Sequence, residues 1–234
     1  MKRATRVLVP LAIVLALASC QQVFTSSLGA WAARDLSIPA DLSAADTLDL
    51  AGQAVEDGDA ALAEALLPAL EANLEAATPG TAAYDELSAA AAETVVIATG
   101  ISEAITTVIT LIPFEEIMAA GGAAIVIDPD TVTAIDAAIA AIQVGADATA
   151  ILEALVLDPG AATADQLVLA AMATLVVANP GLSLGVMLED PATATYTVDP
   201  LTQSLLDAAL AQASSYPGDS GLYDMLGPYL GVTP

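Results

Sequence analysis

Residues 79–98, PGTAAYDELSAAAAETVVIA, and residues 159–178, PGAATADQLVLAAMATLVVA, decide how this chain is read. Set side by side at an offset of 80, they agree at ten of twenty positions. Alanine supplies part of that agreement, but Pro79/Pro159, Gly80/Gly160, Asp85/Asp165, Leu87/Leu167 and Thr94/Thr174 owe nothing to it. Apolar residues recur at helical spacing, at Tyr84, Leu87, Ala91, Val95 and Ala98 and again at Leu167, Ala171, Leu175 and Ala178. Each copy therefore predicts a helix with one buried face, entered from a Pro-Gly turn.

A second element recurs three times, from Asp41, Asp128 and Asp199, and aligns Asp49, Asp136 and Asp207 as well as Leu48, Ile135 and Leu206. DPDTVTAIDAAIA (128–140) and DPLTQSLLDAALA (199–211) are the plainest pair. Aspartate before proline supplies a cap acceptor followed by the imino acid tolerated at the first helical position, so Asp128-Pro129 and Asp199-Pro200 predict helix starts. Each copy runs into glycine and aspartate, at Gly58-Asp59, Gly145-Ala146-Asp147 and Gly218-Asp219. Glycine can end one helix and aspartate cap the next, which makes the unit a helical hairpin. Thr163 and Gln166 have capping-box spacing.

Five hairpins follow, at 41–77, 81–112, 128–157, 161–190 and 199–230, grouped as repeat 1 (41–112), repeat 2 (128–190) and a half repeat (199–230). The expected fold is all-α, one repeat domain over 41–234 whose hairpins stack as a short α-solenoid. The apolar run AAIVI (123–127), after Gly121-Gly122, is read as a junction between the large repeats.

In places the hairpins resemble tetratricopeptide repeats, notably at Gly58-Asp59 followed by Ala60, Ala63 and Leu67, and at Glu153-Ala154-Leu155-Val156-Leu157-Asp158-Pro159. The Gly145 to Pro159 interval is about one turn short of that unit and the Gly58 to Pro79 interval too long. The resemblance implies a surface offered to a partner protein. Lipoproteins with degenerate repeats of this kind include the T component of tripartite ATP-independent periplasmic transporters, which associates with a solute-binding protein.

The N-terminus carries its own pattern. Lys2, Arg3 and Arg6 precede an apolar stretch from Val7 to Ala16, and Leu17-Ala18-Ser19-Cys20 closes it. The stretch is too short for a membrane span, which needs about 20 residues, and it has the layout of a signal peptide. It resembles the lipobox of bacterial lipoproteins, which implies cleavage before Cys20 and lipidation of that residue. Residues 1–19 are then signal peptide and 20–40 a lipidated tether, with Leu28 to Leu36 and Trp31 expected to pack and Phe24 nearer the anchor. Several acyl chains on one cysteine anchor stably. Gln21 stands where aspartate would mark inner-membrane retention, so the outer membrane is the expected address. Cys20 is also the only cysteine, which leaves no thiol for a disulfide, a metal or nucleophilic attack.

Beyond position 20 the sequence holds 29 acidic residues and a single basic one, Arg34. Such a chain is repelled by nucleic acid and anionic headgroups, so no nucleic-acid partner is expected and membrane contact must come through the lipid. At 56% apolar residues it can still build a core. Adaptation to a saline environment explains the acidity, and a surface for cationic ligands is the sharper alternative.

Histidine is absent and lysine occurs only at position 2, which removes most general-base, nucleophile and transition-metal chemistry. Carboxylates remain. Glu115-Glu116 reads as a solvated pair, because adjacent helical residues do not face each other. Asp128/Asp130 reads as a cap. Glu56-Asp57-Gly58-Asp59 lacks the alternating ligands and distal glutamate of an EF-hand and reads as a turn. Neither a metal nor another cofactor is expected. Thr94 to Pro113 is expected to be a buried helix pair, whose groove could hold an acyl chain. The function expected is a non-enzymatic, lipid-anchored interaction scaffold with an envelope protein partner. A carrier of apolar ligands or a transport accessory is the alternative, and it requires an enclosed apolar cavity of about 300 Å3 or more.

Overall fold

The computed structural model describes residues 38–39, 41–111, 128–181, 183 and 197–215, all within the unit Ile38–Pro234. Cys20 with the lipobox, Phe24, Trp31, Arg34, Glu115-Glu116, the junction 123–127, Gly218-Asp219 and the second halves of the last two hairpins lie outside the described residues. Eight helices are described: α1 (Ala44–Asp57), α2 (Ala60–Ala76), α3 (Ala82–Ala98), α4 (Ile101–Leu111), α5 (Pro129–Ala140), α6 (Ala146–Leu157), α7 (Ala164–Ala178) and α8 (Pro200–Ser215). No strand occurs among the described residues, and the chain is all-α over them.

Helix ends follow the chemistry of their caps. Asp59 accepts from the N–H groups of Ala61 and Leu62 to open α2. Asp128 does the same for α5 through Asp130 and Thr131, and Asp199 for α8 through Leu201 and Thr202. Thr163 and Gln166 close a reciprocal capping box on α7. Gly58 ends α1 at φ 62°, the left-handed conformation that disfavours a side chain.

Two ends differ from expectation. Helix α1 starts after Ser43, whose hydroxyl accepts from the Asp46 N–H, rather than at Asp41. Gly145 does not terminate a helix, and Asp147 does not cap one. Helix α5 stops at Ala140, because Ile142 turns into the core and the Gln143 N–H bonds the Thr99 carbonyl at 3.1 Å. Gly145 then precedes α6 with an ordinary φ of −74° and no side-chain cap, and Asp147 lies exposed in the first turn.

Helix α3 is the hub, packing against α1, α2, α4, α6 and α7. Its inward residues Ala91 and Val95 are closed from solvent, as are Leu66 and Leu70 of α2, Ile151, Leu152 and Leu155 of α6, Leu167 and Val168 of α7, and Leu205 of α8. Burying such a leucine contributes roughly 2 kcal/mol. Ala63, Ala171 and Ala209, at most 1% exposed, let neighbouring helices approach closely. The two sequence copies bury matching positions, since 84/164, 87/167, 88/168, 91/171 and 94/174 are buried in both α3 and α7. Helix α1 lies on α2 and α3, while α8 lies on α6 and α7. Contacts between α2 and α6 and between α3 and α7 join hairpins that are not consecutive, so no solenoid is identified among the described residues. The stacking expected from the sequence took each hairpin to meet only its neighbours.

Helices α3 and α4 meet at 62° across Thr99 and Gly100, where Gly100 adopts φ +73°. No single described helix is long and apolar enough to cross a membrane; the bent pair Ala82–Ala98 and Ile101–Val108 meets the criterion by length and composition only. One face of α3, including Leu87, Ala91 and Val95, is buried against the other helices, and Glu86 and Glu93 are exposed.

The matched threonines give a prediction. The Thr174 hydroxyl donates to the Ala171 carbonyl and lies 2.8 Å from that of Thr202, whereas Thr94 Oγ1 is buried with no partner. A buried unpaired hydroxyl costs about 1–3 kcal/mol, and a hydrogen bond contributes about 1. Thr94→Val is expected to raise unfolding stability by about 1 kcal/mol and Thr174→Val to lower it by about as much, as read by urea denaturation of both variants.

Candidate functional site

Ends of five helices surround a cleft of about 530 Å3 that opens to solvent. Buried Leu67 of α2, Thr99 after α3, Ala104 of α4 and Ala148 of α6 are among its walls. Three exposed carboxylates belong to it: Glu64 of α2, Glu103 of α4 and Asp147 of α6. They come from positions 39 and 44 residues apart and reach one cleft through the packing of α2 on α6 and of α4 on α5.

Local sequence shapes this cleft. Pro68 lies inside α2 and has no N–H, so the Glu64 carbonyl lacks its usual helical donor. The sharp bend at Gly100 carries α4 away from α3 and leaves the space between α4, α5 and α6 open. Helix N-termini at Ala60 and Ala146 and C-termini at Ala98 and Ala141 all border the cleft, so their dipoles largely offset one another. The carboxylates therefore set its sign. No positively charged side chain occurs after Arg34 to neutralise them. On the neighbouring turn of α2, Glu71 is held above the ordinary carboxylate range by burial and by the charges of Asp147 and Glu75.

A second, smaller hollow of about 260 Å3 lies beside residues 160–164, Asp85 and Gln212. It adjoins a junction in which the Tyr84 hydroxyl donates to the Asp158 carbonyl at 2.7 Å, Ser88 Oγ accepts from the Ala161 N–H at 3.0 Å, and Gln212 donates to the Gly160 carbonyl at 2.9 Å. Burial, with Asp158 and then Asp85 nearby, pushes the Tyr84 phenol upward, so it stays a donor. This junction pins α3, the α6–α7 turn and α8 to one another.

Of the acidic residues noted in the sequence, Asp59, Asp128 and Asp199 cap helices. Asp128 receives the Thr131 hydroxyl and two backbone N–H groups, and these hydrogen bonds hold its carboxyl below the ordinary range. Glu56 and Asp57 are exposed beside the Gly58 turn, and Asp59 is a cap. Among the described residues no group of three His, Cys, Asp or Glu is placed to hold a metal ion. Sequence reasoning did not join Glu64, Glu103 and Asp147. Pro68 was the local signal available, and it says only that α2 lacks one backbone hydrogen bond there.

The fold defines an all-helical protein of eight described helices, five of which pack against α3. No protein family, curated relative or solved structure matches the chain, so no family is assigned.

Proposed function

We propose that this chain is a lipid-anchored, extracytoplasmic protein that acts as a non-enzymatic interaction scaffold built from degenerate helical repeats. The observation that carries the reading is the Leu17-Ala18-Ser19-Cys20 junction behind a basic and apolar N-terminus. The matched buried positions of α3 and α7, and the like placement of α1 and α8, support a duplicated unit that has closed on itself instead of extending. Asp59, Asp128 and Asp199 spend their carboxylates on helix ends, which favours a structural use of the acidic residues over catalysis. Leu157, 88% exposed at the end of α6, and exposed Val177 and Val198, which flank the pairing of Asn179 with Thr197, offer apolar contact points for a partner.

Metabolic labelling with a palmitate analogue and fractionation of the envelope test the anchor. The wild type is expected to take up label and sediment with outer membrane, and Cys20→Ser to lose the label and become soluble. A Cys20→Ser protein that still sediments with membrane overturns the anchor. Affinity purification in mild detergent tests the scaffold: a stoichiometric envelope protein is expected, lost in Leu157→Asp or Val177→Asp. A solute-binding protein in that place would select the transport accessory, and an apolar small molecule alone the carrier.

A further inference from the structure

We infer that α4 and α5 form a small lobe that swings as one body on a two-part hinge at 99–100 and 141–145, widening and narrowing the cleft. The division is visible in the packing. The main core, built around residues such as Leu66, Leu152 and Leu167, contains no residue of α4 or α5. The first turn of α4 joins a separate, smaller cluster instead, in which Ile101 and Ala104 meet Val96, Ala173 and Ile142. Among the described helices, α5 has α4 as its one substantial neighbour. Few apolar contacts to the core mark the parts of a fold that move most easily.

The connections fit a hinge. The chain enters the lobe at 99–100 and leaves it at 141–145, and these two stretches lie together, with the Gln143 N–H donating to the Thr99 carbonyl at 3.1 Å. Rotation about that shared line moves both helices at once and leaves the main core closed. Each connection holds a glycine: Gly100 at φ +73°, and Gly145, which leads into α6 without a side-chain cap. A hinge needs only a few residues at element ends to absorb its dihedral changes, and small ones do so readily. Both parts wall the cleft, the body through Ala60, Leu67 and Ala148 and the lobe through Ala104, Thr107 and Ala138. A swing of the lobe therefore changes the cleft's width. This inference is independent of whether Cys20 carries lipid and of the scaffold reading.

Double electron–electron resonance on the full chain, spin-labelled at paired cysteines in a Cys20→Ser background, tests it. Ala61→Cys on α2 with Thr110→Cys on α4 reports body against lobe. Ala61→Cys with Glu93→Cys reports the body alone, and Thr110→Cys with Ala137→Cys the lobe alone; all these positions are exposed and outside the cleft. The body-to-lobe pair is expected to give a distance distribution at least about twice as broad as either control. Gly145→Pro should narrow it toward the controls, since Gly145 already has φ −74°, a value proline shares, and nothing lies within 4 Å of an added Cβ. A body-to-lobe distribution as narrow as the controls, a lobe control equally broad, or no narrowing in Gly145→Pro would each overturn the hinge. Circular dichroism of each variant confirms that a change in breadth is not loss of fold.

Discussion

Gly160→Ala is expected to destabilise the protein by about 3–4 kcal/mol, the largest effect of any single substitution argued from this structure. Two costs coincide. Gly160 adopts φ +50°, a left-handed conformation that costs a residue with a side chain about 1–2 kcal/mol. An added Cβ would also lie 2.2 Å from Ser88 Oγ, 3.0 Å from Ser88 Cβ and 3.1 Å from Tyr84 Cδ1. Ser88 cannot turn aside cheaply, since it is fully buried, donates to the Asp85 carbonyl and accepts from the Ala161 N–H. Overpacking of this kind adds about 1–3 kcal/mol. Gly58→Ala and Gly80→Ala supply the comparison, because both positions have φ above +60° but nothing within 4 Å of the added atom. They are expected to cost about 1 kcal/mol each. Thermal melts at 222 nm measure all three, and a Gly160→Ala cost no greater than that of Gly58→Ala would show that the junction yields.

That junction also marks the limit of what the sequence disclosed. Pro159-Gly160 was legible as a turn because proline and glycine punctuate the chain through their own backbone preferences. That Gly160 must stay bare depends on Ser88, 72 residues earlier in a different helix, and no local pattern encodes such a contact. The Asp-Pro helix starts, the Gly58-Asp59 turn and the Thr163/Gln166 box were legible for the same local reason. Gly145 was misread because its fate is decided by Ile142, whose burial among Val96, Ile101, Ala104 and Ala173 stops α5 early. Stacking order failed at the same level: apolar spacing shows that a face is buried, not which helix covers it. The cleft carboxylates belong to this nonlocal class too, since α2, α4 and α6 bring them together only after the core has formed.

Raising NaCl from about 10 mM to 1 M is expected to stabilise the protein by on the order of 3 kcal/mol, a rise of about 10 °C in melting temperature. The chain carries a formal charge of −25, and every basic residue lies at or before Arg34. Acidic repulsion across the helical unit therefore has no internal compensation and is relieved by counter-ions, whose screening length shrinks from about 30 Å to about 3 Å over that range. Acidification adds a second, opposed pair of effects. Glu71 has a raised folded pKa from burial and from Asp147 and Glu75, so its ionised form costs stability at neutral pH, and that cost is relieved as pH falls through the folded pKa. Asp199 runs the other way. Burial works against its ionisation, but hydrogen bonds from the Thr202 hydroxyl and N–H and the Leu201 N–H outweigh it, and its folded pKa is lowered, as is that of Asp128. Their stabilisation is complete above the unfolded value of about 3.9 and is lost as pH falls through the folded pKa. Stability should thus climb as pH falls from neutrality toward the folded pKa of Glu71 and fall below about pH 4. Glu71→Gln should flatten the first limb, while Asp199→Asn should shift the second. Urea titrations across pH at low salt read both limbs, and a melting temperature indifferent to NaCl would mean that the acidic surface does not oppose folding.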